Sequence, residues 1–381
     1  MADFSTPSLI SVTCPKMITP LLKMEVEQLG YTVLNDRVAG LELTGTLSDC
    51  MRLNLSLRTA HRIHYLVKKG KGRSIPELTQ VLKSIAWESF IPKHGYVSVT
   101  SAIQNKAVKN SQFANRVIKD AIVDRIRSKT GARPDSGPKL NQSVVFVYWK
   151  NEELRIFLDT SGESVSRRGY RIQNHTAPMQ ESLAAALVLS TQWDRMSPFL
   201  NPMCGSGTLA IEAAMIALNK APGLLRPNFG IKHIIGFDQN NWNVLRDELK
   251  HRAKKDFEVP IIASDHDSTA LQALRKNLET AGLQRHIEFE KRDVSLATVP
   301  DASSGVVIMN PPYGERLGEE DQLSALYRKM GDFLKQKCSG YKGYIFTGNK
   351  ELGKSVGLRT SRKLTFYNST IECRLLEYDL Y

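Results

Sequence analysis

The chain has 381 residues, 41% hydrophobic and 24% charged, a globular balance that speaks against long disorder or a fibrous repeat. That length exceeds the ~250–300 residues at which single cores stop growing, so two or more domains are expected. The net charge is +13, with +9 carried by residues 1–160 and +4 by residues 161–381, as expected if the N-terminal end meets a polyanion.

Five scattered cysteines, at 14, 50, 204, 338 and 373, show no CxxC spacing, which disfavours a disulfide framework or a zinc site and fits a reducing compartment. The first basic residue is Lys16 and no long apolar core follows, unlike a secretory signal. The longest apolar run, Leu183 to Leu189, falls far short of the ~20 residues of a membrane helix. A soluble, cytoplasmic protein is expected, with no metal and no membrane partner.

In chain order, Thr19 to Leu29 places Leu21, Leu22, Met24, Val26 and Leu29 at helical spacing, ended by Gly30. A strand-like TVLNDRVAGLEL follows, and together they suggest a small α+β unit. The glycines of Lys68-Lys69-Gly70-Lys71-Gly72-Arg73 point to a basic loop, either solvated or touching phosphate. Ser111 to Thr130 reads as a helix ended by Gly131. Phe113, Val117, Ile118, Ala121, Ile122 and Ile126 form its apolar face, and Arg116, Lys119, Arg125 and Lys129 its basic one. Ser143–Trp149 and Glu153–Asp159 read as a hairpin around Lys150 to Glu152. Residues 160–164 and the basic Arg167-Arg168-Gly169-Tyr170-Arg171 look like a linker, placing a boundary near residue 161.

The second half alternates strands (Pro198–Asn201, Ile261–Asp265, Ile287–Arg292, Val306–Asn310, Gly343–Phe346) with helices near 207–218, 268–282 and 322–338. That order predicts a parallel sheet covered on both faces. Two further strands in Lys363 to Tyr381 suggest an antiparallel hairpin at one edge.

Four segments carry chemistry. Asn201-Pro202-Met203-Cys204-Gly205-Ser206-Gly207-Thr208 follows a strand and precedes a helix. Its glycines permit a sharp turn against a ligand. The same letters fit a dinucleotide fingerprint. However, the next strand-end acid, Asp265, lies 64 residues beyond Asn201 rather than the ~20 of that pattern. Asp265 suits a ribose, and Asp267 suits a helix cap. Arg292-Asp293-Val294 offers an acceptor for an exocyclic amine and an apolar contact for a purine, or else is a plain loop. Asn310-Pro311-Pro312-Tyr313-Gly314 is the most specific signal. Two prolines stiffen the turn. The Asn310 side-chain carbonyl and the Pro311 backbone carbonyl suit an –NH₂ with two donors, and Tyr313 offers a flat face to a base.

The order NPMCGSGT, SDHD, RDV and NPPYGERLG resembles class I S-adenosylmethionine-dependent N-methyltransferases acting on amines of nucleic-acid bases. NHTAPMQESLAAALV before the first motif, the Asn228-Phe229-Gly230 to Trp242 stretch and the ending TIECRLLEYDLY resemble the RlmL/YpsC group of ribosomal large-subunit guanine-N2 methyltransferases. LLKMEVEQLGY, NLSLRTAHRI and DTSGESVSRRGYR resemble that group's ferredoxin-like and THUMP RNA-binding region.

The resemblance implies an α/β fold, a doubly wound Rossmann-like methyltransferase sheet over 161–381 with an antiparallel edge hairpin. A ferredoxin-like segment at 1–55 and a THUMP-like RNA-binding domain at 56–160 would precede it. It implies S-adenosyl-L-methionine as cofactor. Asn201, Met203, Gly205, Ser206 and Gly207 would lie at its methionine part, Asp265 at its ribose, and Asp293 and Val294 at its adenine, with Glu181 and Ser182 nearby. Asn310, Pro311, Pro312 and Tyr313 would hold the guanine. Asn201 stands where the group more usually has Asp, and a neutral amide still receives an ammonium. Some relatives carry a second methyltransferase domain; here one methylation is implied. The expected partner is RNA, above all 23S ribosomal RNA or a large-subunit precursor. Transfer-RNA guanine-N2 and adenine-N6 methylation are alternatives. A dinucleotide oxidoreductase and a non-catalytic assembly factor fit the motifs less well.

Overall fold

The computed structural model describes residues 2–108, 110–172, 179–314 and 320–381. Residues 174–178 of the NHTAPM segment and 315–318 of NPPYGERLG lie outside the described residues. In chain order the elements are β1 (Ser8–Thr13), α1 (Thr19–Gln28), β2 (Val33–Arg37), β3 (Gly40–Gly45), α2 (Leu47–Ser56), β4 (Arg62–Lys71), α3 (Ile75–Lys83), β5 (Tyr96–Gln104), α4 (Ser111–Thr130), β6 (Asp135–Ser136), β7 (Ser143–Lys150), β8 (Glu153–Asp159), α5 (Glu181–Ser190), β9 (Phe199–Pro202), α6 (Thr208–Ala217), α7 (Gln239–Arg252), β10 (Ile261–Asp265), α8 (Ser268–Ala281), β11 (Glu288–Lys291), β12 (Gly305–Met309), α9 (Glu320–Lys337), β13 (Tyr341–Thr347), α10 (Lys350–Ser355), β14 (Arg362–Asn368) and β15 (Ile371–Asp379).

The chain divides into two compact units. The first comprises Met1–Cys14, Leu22–Val165 and Arg226–Glu248. Among its described residues one eight-stranded sheet runs β2-β3-β1-β4-β8-β7-β5-β6. Strand β4 makes it continuous by pairing antiparallel with β1 on one side and β8 on the other. The Lys68–Lys71 stretch therefore lies in this strand, not in a loop: Lys69 faces Arg155, Gly70 faces Leu154 and Lys71 faces Glu153. Backbone pairing along the whole of β8 outweighs the turn preference of a glycine. The Gly72 carbonyl then accepts the buried Trp149 indole N–H at 2.8 Å.

Helix α4 has the expected bounds because both ends are capped. Asn110 accepts from the amides of Gln112 and Phe113, and Gly131 closes the helix with φ +74°. Ala114, Ile118, Ala121, Ile122 and Ile126 are buried, while Phe113 is 54% exposed and outside the core. Arg125 serves the fold. Its Nε and Nη2 bond both oxygens of Glu88, and its Nη1 bonds the Lys83 carbonyl. The insertion segment 226–248 belongs to this unit. Arg226 donates to the carbonyls of Ser164 (2.6 Å) and Glu163 (2.9 Å), and its guanidinium lies 4.8 Å from the centre of the Phe229 ring.

The second unit comprises Pro15–Leu21, Ser166–Leu225 and Leu249–Tyr381. Its described residues form a seven-stranded sheet ordered β11-β10-β9-β12-β13-β15-β14. The first five of these are parallel; β15 runs antiparallel to both β13 and β14, giving the expected hairpin at the edge. Every residue of β9, β10 and β12 is buried, the pattern of a parallel sheet covered on both faces. The strand order reverses between β9 and β12. Ligands of such sheets bind outside the carboxyl ends of the strands at that switch point.

Candidate active site

Three of the predicted motifs end neighbouring strands, so the sheet brings them together. Asn201 is at the end of β9, Asp265 closes β10, and Asn310 follows β12. The β9–β12 register pairs Phe199 with Val306 and Leu200 with Val307, which sets Asn201 level with Ile308. Asn310 is two residues further along. With strands ~4.8 Å apart and ~3.3 Å per residue, the two asparagine Cα positions are about 8 Å apart.

After β9 the chain turns through three left-handed residues, Met203 (φ +58°), Gly205 (φ +55°) and Gly207 (φ +82°). The turn is fixed from two directions. The Cys204 amide bonds the Ser264 carbonyl and the Gly205 amide bonds Asp265 Oδ2, both at 2.9 Å. On the other side Asn277 Nδ2 donates to the Ser206 carbonyl at 3.1 Å. The two glycines differ. A methyl at Gly205 would meet no protein atom within 4 Å, whereas one at Gly207 would overlap the buried Leu274 side chain. Gly205 thus borders open space and Gly207 packs on α8.

Asp265 also accepts the Asp267 amide through Oδ1 at 3.0 Å. Each of its oxygens keeps a lone pair for a further donor. Asp267 caps α8, accepting from the Thr269 amide at 2.8 Å, as its position predicts. Asp293 collects the Ser295 amide (3.0 Å), the Ser295 hydroxyl (2.7 Å) and the Lys329 ammonium (2.7 Å), all on Oδ1, which leaves Oδ2 as an acceptor. Burial raises the Asp293 pKa, but Lys329 and Ser295 outweigh it and hold the carboxyl down at about 2. Val294 sits in the core beside Leu200, Ile262, Val307 and Met309, so little of its side chain is left for a purine. Burial, followed by the Asp265 carboxylate, pushes the Cys204 thiol well up, so it stays protonated and is no nucleophile.

Two asparagine oxygens stand out. Asn201 is fully buried, and its Nδ2 donates to the Ile308 carbonyl at 2.9 Å while its Oδ1 has no partner. Asn310 Oδ1 is likewise buried without a donor. Leaving such acceptors dry costs ~1–3 kcal/mol each, and a ligand's N–H groups remove that cost.

Tyr313 is held from behind. Its hydroxyl accepts from Asn368 Nδ2 at 2.8 Å and faces the Cys373 thiol at 3.8 Å, and its ring packs edge-on against Phe346. Gly348 allows this seating: a methyl there would lie 2.8 Å from two ring carbons. Burial, above all, pushes the phenol up to about 12, so it remains neutral.

Sequence reasoning missed the layer beneath the turn. Arg167–Arg171 is no open linker: Arg168 is 1% and Tyr170 0% exposed. The reason is Glu212, buried in the otherwise apolar α6. Arg168 Nε stands 3.5 Å from its carboxylate, and the Tyr170 hydroxyl donates to it at 3.2 Å. Arg171 reaches the Met179 carbonyl (2.6 Å), Thr208 Oγ1 (2.9 Å) and, at 3.7 Å, Glu181. Glu181 and Ser182, the first residues of α5, are both buried. A lone glutamate in LAIEAAMIAL was the available signal, since a buried carboxylate needs a cation.

Strand order, glycine turn and strand-end acids together define a class I methyltransferase fold. Residues 168–377 match the RMKL-like methyltransferase domain, residues 10–64 the RlmL ferredoxin-like domain and residues 72–159 the THUMP domain. The chain belongs to the RMKL-like methyltransferase family. It is 36% identical over 97% of its length to the ribosomal RNA large subunit methyltransferase K/L of Syntrophotalea carbinolica, and 35% identical over 97% to that of Marinobacter nauticus. It covers 53% and 52% of those proteins, so it spans about half the length of the curated relatives it matches. Among solved structures, a methyltransferase complexed with SAH superposes at TM-score 0.88 with 27% identity, covering 98% of each chain. A protein named as an N6-adenine-specific DNA methylase from Listeria monocytogenes gives 0.88 and 30%, covering 98% of this chain and 96% of that one. No described helix is long and apolar enough to cross a membrane, and no described cluster of His, Cys, Asp and Glu could hold a metal ion.

Proposed function

We propose that this chain transfers a methyl group from S-adenosylmethionine to the exocyclic N2 amine of a guanine in 23S ribosomal RNA. The observation that carries the reading is the buried, donor-less Asn310 Oδ1 beside the glycine turn. The cofactor fits the residues present. Asn201 Oδ1 would accept from its ammonium, the open side of Gly205 would admit its methionine part past Met203 and Ser206, and Gly207 would keep that turn packed on α8. Asp265 would take the ribose hydroxyls and Asp293 Oδ2 the adenine amine.

S-adenosylmethionine, when bound, supplies a methyl group activated by its sulfonium. The protein's task is alignment. Asn310 Oδ1 and the Pro311 carbonyl accept hydrogen bonds from the two amine N–H groups and hold the nitrogen lone pair toward the methyl; the one proton that the methylated amine loses passes to solvent. Positive charge grows on that nitrogen during transfer, so both acceptors bind more strongly in the transition state. Pro311 and Pro312 keep the turn stiff. Tyr313, fixed by Asn368 and Phe346, offers its ring to a base taken out of its stack. The basic N-terminal unit would hold RNA through phosphate and shape contacts.

Mass mapping of ribosomal RNA from a strain lacking the gene tests this. One methylguanosine should vanish from 23S RNA and return with the wild-type gene but not with Asn310→Ala. A missing methyladenine, or an unchanged ribosomal RNA alongside a changed transfer RNA, would overturn the assigned base or substrate.

A further inference from the structure

We propose that the Arg171 guanidinium binds the α-carboxylate of the methyl donor's methionine part. The inference rests on the methyltransferase reading and adds a residue to it. Arg171 lies in the stretch whose basic letters suggest a linker, yet its side chain is only 12% exposed. One nitrogen, Nη2, serves three neighbours, the Met179 carbonyl, the Thr208 hydroxyl and the Glu181 carboxylate. Thr208 is the first residue of α6, directly after Gly207, so the guanidinium is anchored at the glycine turn. Its Nε is buried with no acceptor among the described residues. A guanidinium N–H left dry costs more than a neutral one, and the planar fork matches a carboxylate better than any other anion except phosphate. The neighbouring Glu212 carboxylate is engaged by Arg168 and Tyr170, so it does not fill this role.

A second, independent observation points to the same ligand. The fully buried Asn201 Oδ1, in the strand that leads into the same turn, is an acceptor without a donor among the described residues. An acceptor and a donor flanking one glycine turn match the ammonium and carboxylate of an α-amino acid. The helix end adds favourable backbone N–H groups for the negative half.

Calorimetry on the full chain decides the matter without turnover. The probes are S-adenosylhomocysteine, its carboxamide, which lacks only the negative charge, and 5′-methylthioadenosine, which lacks the amino-acid part. The wild type should bind S-adenosylhomocysteine about 30-fold or more tighter than the carboxamide. Arg171→Gln should abolish that ratio and leave 5′-methylthioadenosine affinity within about 3-fold, and Arg171→Lys should restore part of it. Equal loss for all three probes in Arg171→Gln would make Arg171 a builder of the turn and overturn the proposal. So would a wild type indifferent to the carboxamide. A wild type that binds none of the probes would sink the methyltransferase reading itself.

Discussion

The two glycines of the turn should fail in opposite ways. Both have positive φ, so alanine at either costs about 1–2 kcal/mol of left-handed strain. At Gly207 the new methyl also overlaps Leu274, a buried core residue on α8, and overpacking adds about 1–3 kcal/mol. Gly207→Ala should therefore lose about 2–5 kcal/mol, a fall in melting temperature of roughly 4–20 °C at ~2–4 °C per kcal/mol for a unit of this size. Gly205→Ala carries the strain alone, and its methyl points where no protein atom lies within 4 Å. Its melting temperature should fall by only roughly 2–8 °C, yet its affinity for S-adenosylhomocysteine should drop by about 10-fold or more, because the methyl occupies ligand space. Gly205→Asn separates the two effects, since asparagine tolerates left-handed φ and still fills the space. It should melt near the wild type and bind poorly. Thermal melting and calorimetry read both quantities. If Gly205→Asn binds like the wild type, the turn does not face the cofactor. If Gly207→Ala melts like the wild type, the α8 packing argument is wrong.

Asn310→Ala should lower the rate of methyl transfer by about 10²–10³-fold, leave cofactor affinity near that of the wild type and not lower the melting temperature, because it removes an acceptor that no described protein group uses. Unchanged single-turnover rates would reject the amine-holding role. Gly348→Ala drives a methyl into the Tyr313 ring and should weaken RNA-dependent turnover without changing S-adenosylhomocysteine affinity; a coupled loss of both would show that the ring and the cofactor pocket are one structure. Asp293 has a folded pKa of about 2, below the ~3.9 of a free aspartate. Its stabilisation is thus complete above about pH 4 and is lost as pH falls toward about 2. Lys329→Gln should move its carboxyl titration, followed by NMR, upward; an unmoved midpoint would refute the ion pair as the cause.

The catalytic sheet is legible where β9, β10, β11 and β12 end in residues with a physical signature. Glycines stand where φ must be positive, an acid where an amide must be capped, two prolines where a turn must be stiff. Two other stretches, one in each unit, are less legible in the sequence. Gly70 suggests a loop to any local rule, but β4 draws its stability from β8, more than 80 residues away along the chain, and pairing of that range leaves no local mark. In the second unit the basic letters of Arg167–Arg171 suggest a linker, and the burial of Arg168 and Tyr170 within it leaves no local mark. The buried Glu212 reversed the inference, and only a view joining position 168 to position 212 finds it. Asn277 is hidden for the same reason: nothing within α8 says that its one asparagine will hold the carbonyl of Ser206.

The two orphaned acceptors bear on why the turn and the NPPY segment work as one site. Asn201 is fixed by the hydrogen bond that its Nδ2 donates to the Ile308 carbonyl, in the strand that delivers Asn310. A shift of β12 relative to β9 would break that hydrogen bond and displace Asn310 Oδ1 together. Register is strongly set here because both strands are buried on both faces, and a one-residue slip would put every core side chain of β12 on the wrong side. On the proposed function, the separation between the methyl donor's head and the nitrogen it meets would therefore be a property of the sheet. On this argument, substitutions in the core of β12 that preserve volume, such as Val307→Ile with compensating changes, should leave transfer intact. Asn201→Leu, which fills the space but frees the Ile308 carbonyl, should slow transfer even at saturating cofactor.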